Sequence, residues 1–132
     1  MARTNFENLQ VYQLAEHLAD KVWDVVRKWN GLARDTLGKQ MVRAADSIGA
    51  NIAEGSGRGS NPEYRRFLRI ARGSLYETQH WLRRAFRRKL LLTEQVKCLK
   101  PLVASIGPAL NAYLASIGRR SSNPAVPPRP KT

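Results

Sequence analysis

The apolar residues of this chain recur at steps of three and four in four separate stretches, and they nowhere alternate in the manner of a strand. That period matches the turn of an α-helix, and a sustained three–four seam is what helices use to pack on one another. Val11, Ala15, Leu18, Val22, Val25 and Trp29 make the first seam. Leu37, Met41, Ala44/Ala45, Ile48 and Ile52 make the second. Tyr64, Leu68, Ala71, Leu75, Thr78, Leu82 and Ala85 make the third, and Val96, Leu99, Val103, Ile106, Leu110, Tyr113 and Ile117 the fourth. Four seams joined by short links predict an all-α, up-down-up-down antiparallel four-helix bundle. The helices fall at about 7–29, 36–54, 62–89 and 94–117, in one domain covering 1–118.

Local signals set the expected boundaries. Asn30-Gly31 ends the first helix, and Asp35 or Thr36 caps the second. Gly55 is placed in the left-handed position that stops the second helix, because glycine has no Cβ to clash there. Asn61 caps the third helix, with Pro62 at its first position. Gly73 weakens that helix unless a close neighbour requires it. Thr93, followed by Glu94 and Gln95, opens the fourth helix. Pro101 and Pro108 then predict a bend or a break, since an interior proline removes a hydrogen bond and crowds the preceding turn. Gly118 is the expected stop, and residues 119–132 read as a disordered, proline-rich basic tail. Tyr12, Trp23, Val26, Phe67, Trp81 and Phe86 exceed what one bundle seam needs and are candidates for contacts between subunits.

Composition removes several classes. At 132 residues and 42% apolar content, the chain can fill one ordinary core. No run of eighteen apolar residues exists, and the opening MARTNFENLQ lacks the apolar block of a secretory signal. The single Cys98 cannot make an internal disulfide and is expected to pack as a small apolar side chain in a reducing, cytoplasmic setting. His17 and His80 have no partner at metal-ligand spacing, and no nucleophile–base set can be assembled. No metal, no cofactor and no enzymatic activity are therefore expected.

Charge is the informative total. The chain carries 23 basic and 10 acidic residues, a net charge of +13. Residues 1–57 are neutral overall, 58–89 carry +8 and 90–132 carry +5. Arg65, Arg69, Arg72, Tyr76, His80, Arg83 and Arg87 follow steps of three and four and share one face of the third helix. Arg66, Arg84, Arg88 and Lys89 flank them, and Arg58 stands at the edge of the preceding loop. Guanidinium forks match phosphate oxygens, and the Tyr76 and His80 rings offer planes for unpaired bases. A solvated face with cations suited to the helix C-terminus is the plainer account, but that needs only two or three cations. Nine stand between residues 65 and 89, against Glu77 alone in that span. The imbalance favours nucleic acid, RNA or an RNA/DNA hybrid, over an acidic protein partner or a lipid surface.

Two other groups attract a chemical reading. The loop GSGRGSNP follows a helix rather than a strand and lacks the GK[ST] ending of a phosphate loop, so it reads as a turn with a cap. Ser47, Asn51 and Glu54 line up on the second helix opposite Ser74 and Glu77 on the third, with Arg43 or Arg72 nearby. Carboxylates without histidine partners favour a structural polar belt of Arg43, Ser47, Asn51, Glu54, Ser74 and Glu77 over an acid–base or metal site.

The run RAADSIGANIAEGSGR at 43–58, followed by RRFLRIARGSLYE at 65–77, resembles the signature of the 23S rRNA intervening-sequence family of four-helix-bundle proteins. The accessory protein of diversity-generating retroelements is related to that family. The resemblance implies a bundle that assembles as a ring-like homopentamer. In the retroelement branch it implies a non-enzymatic scaffold that binds a reverse transcriptase and its template RNA. In the other branch it implies a protein encoded within an inserted segment of 23S rRNA. Asn30-Gly31 replaces the proline-bearing turn expected of the family, and the two prolines of the fourth helix also depart from it. A protein–protein adaptor whose basic face meets an acidic partner is the alternative.

Overall fold

The computed structural model describes residues 6–122. A 3₁₀ turn at Phe6–Asn8 leads into α1 (Gln10–Val26). A helical turn at Gly31–Ala33 and a π-helical turn at Arg34–Gly38 run on into α2 (Lys39–Ser56). Then come α3 (Asn61–Arg87) and α4 (Thr93–Ser122). No strand occurs among the described residues. Each helix packs on two others, α1 and α3 both lying against α2 and α4. Consecutive helices run antiparallel, as their cross-contacts show. Arg43 meets Glu77 and Ser47 meets Ser74 between α2 and α3, while Tyr64 meets Tyr113 and Arg72 meets Asn111 between α3 and α4. The protein is an antiparallel four-helix bundle.

The seams form its core. Ala15, Leu18, Val22, Met41, Ile48, Ile52, Leu68, Leu75, Ile106, Leu110 and Ile117 are fully or almost fully buried. Each large aliphatic side chain among them contributes about 1.5–3 kcal/mol by leaving water. Thr78 is the one buried polar residue described, and its hydroxyl donates to the Ser74 carbonyl at 2.8 Å. Val26 and Phe67 are also buried, which removes them as candidates for subunit contacts, whereas Trp23 remains 58% exposed.

The boundaries differ from the local signals in instructive ways. The second helical stretch begins at Gly31, not near Asp35, because Gly31 adopts φ +56° and turns the chain back at once. Thr36 therefore does not cap. Its hydroxyl bonds the Leu32 carbonyl at 2.7 Å inside the π turn. Gly55 is not a left-handed stop either. It lies inside α2, where a Cβ would sit 2.8 Å from the Phe67 Cβ and 3.0 Å from the Tyr64 ring. Glycine there lets α2 and α3 approach, and the helix ends at the next residue, Ser56. Ser60, not Asn61, caps α3, accepting from the Glu63 amide at 3.3 Å. Gly73 has open space around it, so no neighbouring helix accounts for it.

In α4 the helix passes through Pro101 and Pro108 without a break. Both prolines are exposed, and the carbonyls deprived of an amide partner belong to the exposed residues Lys97 and Ala104, on the solvent side of the helix. Gly118 does not end the helix, which continues to Ser122. The start of the expected tail is thus helical, and the remainder, 123–132, lies outside the described residues. Cys98 is exposed rather than packed.

Asp46 on α2 faces Asp20 on α1. Desolvation first, and the Asp20 charge second, push its carboxyl above the ordinary 3.8. Folding thus favours the protonated acid. The resulting stabilisation is complete below 3.8 and is lost as pH rises through the raised folded value. Asp46→Asn is expected to raise Tm at pH 7 and to leave it unchanged at about pH 3, where both forms are neutral; thermal melts at the two pH values check this. Gly55→Ala is expected to lower the unfolding free energy by about 1–3 kcal/mol through overpacking, and Gly73→Ala to raise it by about 1 kcal/mol. Denaturant titration of the two variants reads both signs.

Candidate nucleic-acid interface

The α3 helix turns one edge toward α2, its seam toward the core and its arginine line toward α4 and solvent. The α2 edge holds the polar belt. The Ser47 and Ser74 hydroxyls are 2.9 Å apart, and the Asn51 amide donates to the Ser47 carbonyl at 2.8 Å and to its hydroxyl at 2.9 Å. Arg43 pairs with Glu77, which also accepts from the Trp81 indole at 3.0 Å. Glu54 stands apart from this group, paired instead with Arg58 at 2.6 Å, and Arg72 reaches the opposite side, to α4. The belt fixes the register of α2 on α3. Nothing in it resembles a metal site, and no three His, Cys, Asp or Glu side chains converge among the described residues.

The cations of the arginine line are of two kinds. Those of the first kind, Arg58, Arg65, Arg66 and Arg72, are occupied. Arg58 and Arg66 lie over the Phe67 ring at 4.8 and 4.9 Å and are neutralised by Glu54 and Glu63. Arg65 is half-buried, its guanidinium laid along Gly118 of α4, where a Cβ would come within 3.5 Å of it, and its Nε is buried without a hydrogen-bond partner. Arg72 donates to the Asn111 side-chain oxygen at 3.0 Å.

The remaining cations, Arg69 in the N-terminal half of α3 and those from Arg83 onward, are free. Arg69, Arg83, Arg87, Arg88 and Lys89 are exposed, Arg84 is half-buried, and none has a carboxylate within ion-pair distance among the described residues. Tyr76 is 58% exposed on the same line, and His80 stands exposed with its ring edge-on to Trp81 at 4.7 Å. Arg84 and Arg88 belong to the α2 side of the helix, so the free cations wrap its C-terminal half. The helix ends in a Schellman turn: the Lys89 amide donates to Phe86 and the Leu90 amide to Ala85, at 3.1 and 2.9 Å. Lys89 occupies the left-handed position, φ 62°, that glycine fills more cheaply.

Sequence reasoning missed Lys100. With only Lys97 beside it in the fourth stretch, it belongs to no cationic line that the sequence displays. The antiparallel register that sets Arg72 against Asn111 brings it opposite Arg83, across a cleft of about 470 Å³ between α3 and α4.

A four-helix bundle with a group of uncompensated cations on one helix is the class these features define. The family model described as 23S rRNA-intervening sequence protein matches residues 7–112, so the chain belongs to that family. Among solved structures it is similar to a protein of unknown function from the S23 ribosomal protein family of Bacteroides thetaiotaomicron VPI-5482. The two are 24% identical, with a TM-score of 0.70 over 79% of this chain and 97% of that one, a likeness of fold. No curated protein matches the chain. No helix among the described residues is long and apolar enough to cross a membrane.

Lys89→Gly is expected to raise the unfolding free energy by about 1 kcal/mol by relieving the left-handed backbone, as a shifted denaturation midpoint would show.

Proposed function

We propose that this protein is a non-enzymatic RNA-binding scaffold of the cytoplasm, with no cofactor. The observation that carries the reading is the set of cations on α3 and its C-terminal turn, Arg69, Arg83, Arg87, Arg88 and Lys89, which stand exposed without a carboxylate partner among the described residues. A surface kept for solubility intersperses both signs, whereas a group of cations without carboxylate partners favours a polyanion. Arg69 to Arg87 spans about 27 Å of helix axis, enough to follow several phosphates of a single strand. Tyr76, within that span, offers a plane for a base.

Within this reading the family suggests two settings: an accessory subunit that holds a reverse transcriptase and its template RNA in a diversity-generating retroelement, or a protein of an rRNA insert. A ring-like homopentamer belongs to the same proposal. The 58% exposure of Trp23 on α1 supports a contact between copies there.

Filter binding of a single-stranded RNA across a salt series tests the core of the proposal. The triple variant Arg69→Glu, Arg83→Glu and Arg87→Glu is expected to lose at least about a hundredfold in affinity near physiological salt, with a log–log salt slope shallower by about 2. Unchanged capture by this variant, in a fold that circular dichroism shows intact, would overturn the assignment. Weak wild-type binding with a flat slope would favour an acidic protein partner instead.

A further inference from the structure

The cleft between α3 and α4 is not explained by helix packing. Leu82, Phe86, Leu99 and Val103 supply its apolar wall, yet it stays open at about 470 Å³. Volumes of this order are typical of small-molecule sites. Gln79, Arg83 and Lys100 add the polar part of its lining, and neither cation has a carboxylate partner among the described residues. Phe86 is 58% exposed, so a large part of its side chain is open to a ligand. An aromatic ring, a side-chain amide and two cations therefore share one opening.

Those four groups match the parts of a single nucleotide. An aromatic plane stacks on any base. A glutamine amide presents a donor and an acceptor together, which suits the edge of an adenine. The cations suit the phosphate on either side. Arg83 belongs both to this opening and to the exposed line of α3, so a strand following that line passes the cleft mouth. We infer that the cleft receives one unpaired purine base of an RNA strand held on α3, with Phe86 stacking on it, Gln79 reading its edge, and Arg83 and Lys100 holding its phosphates. This inference rests on the RNA-binding reading and specifies its substrate: single-stranded, purine-containing RNA rather than duplex.

The test is fluorescence anisotropy with a labelled twelve-nucleotide oligoadenylate and the same strand carrying abasic sites at alternate positions. The full-length protein is expected to bind the base-bearing strand about tenfold more tightly. Phe86→Ala, a change at an exposed position, is expected to bind both strands alike with the salt slope of the parent. Gln79→Ala is expected to lose the preference for oligoadenylate over oligouridylate while keeping the abasic penalty. Equal binding of the base-bearing and abasic strands by the parent, or full discrimination kept by Phe86→Ala, overturns the pocket and leaves the cationic surface standing. If the parent binds neither strand near physiological salt, the RNA-binding reading falls and takes the pocket with it. The sulfonated fluorophore anilinonaphthalene sulfonate separates one further case. Its displacement by decanoate but not by adenosine monophosphate would show a site for an apolar anion and overturn the base assignment.

Discussion

The close crossing of α2 and α3 governs the rest of this molecule. It depends on two things in adjacent layers. Gly55 removes the Cβ that would strike Phe67 and Tyr64, and the Ser47–Ser74 bond, with Asn51 holding the Ser47 hydroxyl from within α2, then fixes how far one helix slides along the other. Once that register is set, the Arg43–Glu77 pair closes the edge of the contact and Trp81 is tied down through the same carboxylate. The arginine line of α3 is left with only two directions, across to α4 or out to water. A surface ion pair such as Arg43–Glu77 adds little energy. Its value here is positional, and so is that of the hydroxyl pair.

That geometry explains why the cations of α3 are unequal. Near its N-terminus the helix carries Glu63 and passes close to Glu54 and α4, and Arg66, Arg65 and Arg72, with Arg58 of the preceding loop, are drawn into contacts within the chain, while Arg69 alone stays free. Beyond Tyr76 no cation of the line has a carboxylate within ion-pair distance among the described residues. Repulsion among guanidinium groups there has no internal relief, so a polyanion would relieve it on binding.

Much of the bundle was legible because the three–four seams measure burial directly. Residues on them, such as Leu18, Ile48, Leu68 and Ile106, are the ones with no exposed surface. What the sequence did not disclose depends on neighbours. Gly55 and Gly73 look alike in one dimension, yet one is squeezed by a second helix and the other faces open space. Pro101 and Pro108 violate a local rule that tertiary packing on α1 and α3 overrides. Ser60 and Asn61 are equally good caps, and only the turn geometry chooses between them. Among the site residues, the periodicity of α3 disclosed the line itself but not which of its members are occupied. Lys100 becomes visible once the α3–α4 register is known, because its partner lies seventeen residues earlier in the chain.

The two prolines of α4 have a kinetic consequence. Each lowers the intrinsic helicity of that segment by an amount comparable with about 3 kcal/mol, so α4 on its own nucleates poorly. It acquires its shape only against a surface already formed by α1 and α3. The order of assembly is thereby biased: the α2–α3 hairpin, rich in local contacts, condenses first, and the last helix arrives to close the bundle. During synthesis the cationic helix would accordingly be presented to its surroundings before the domain is complete.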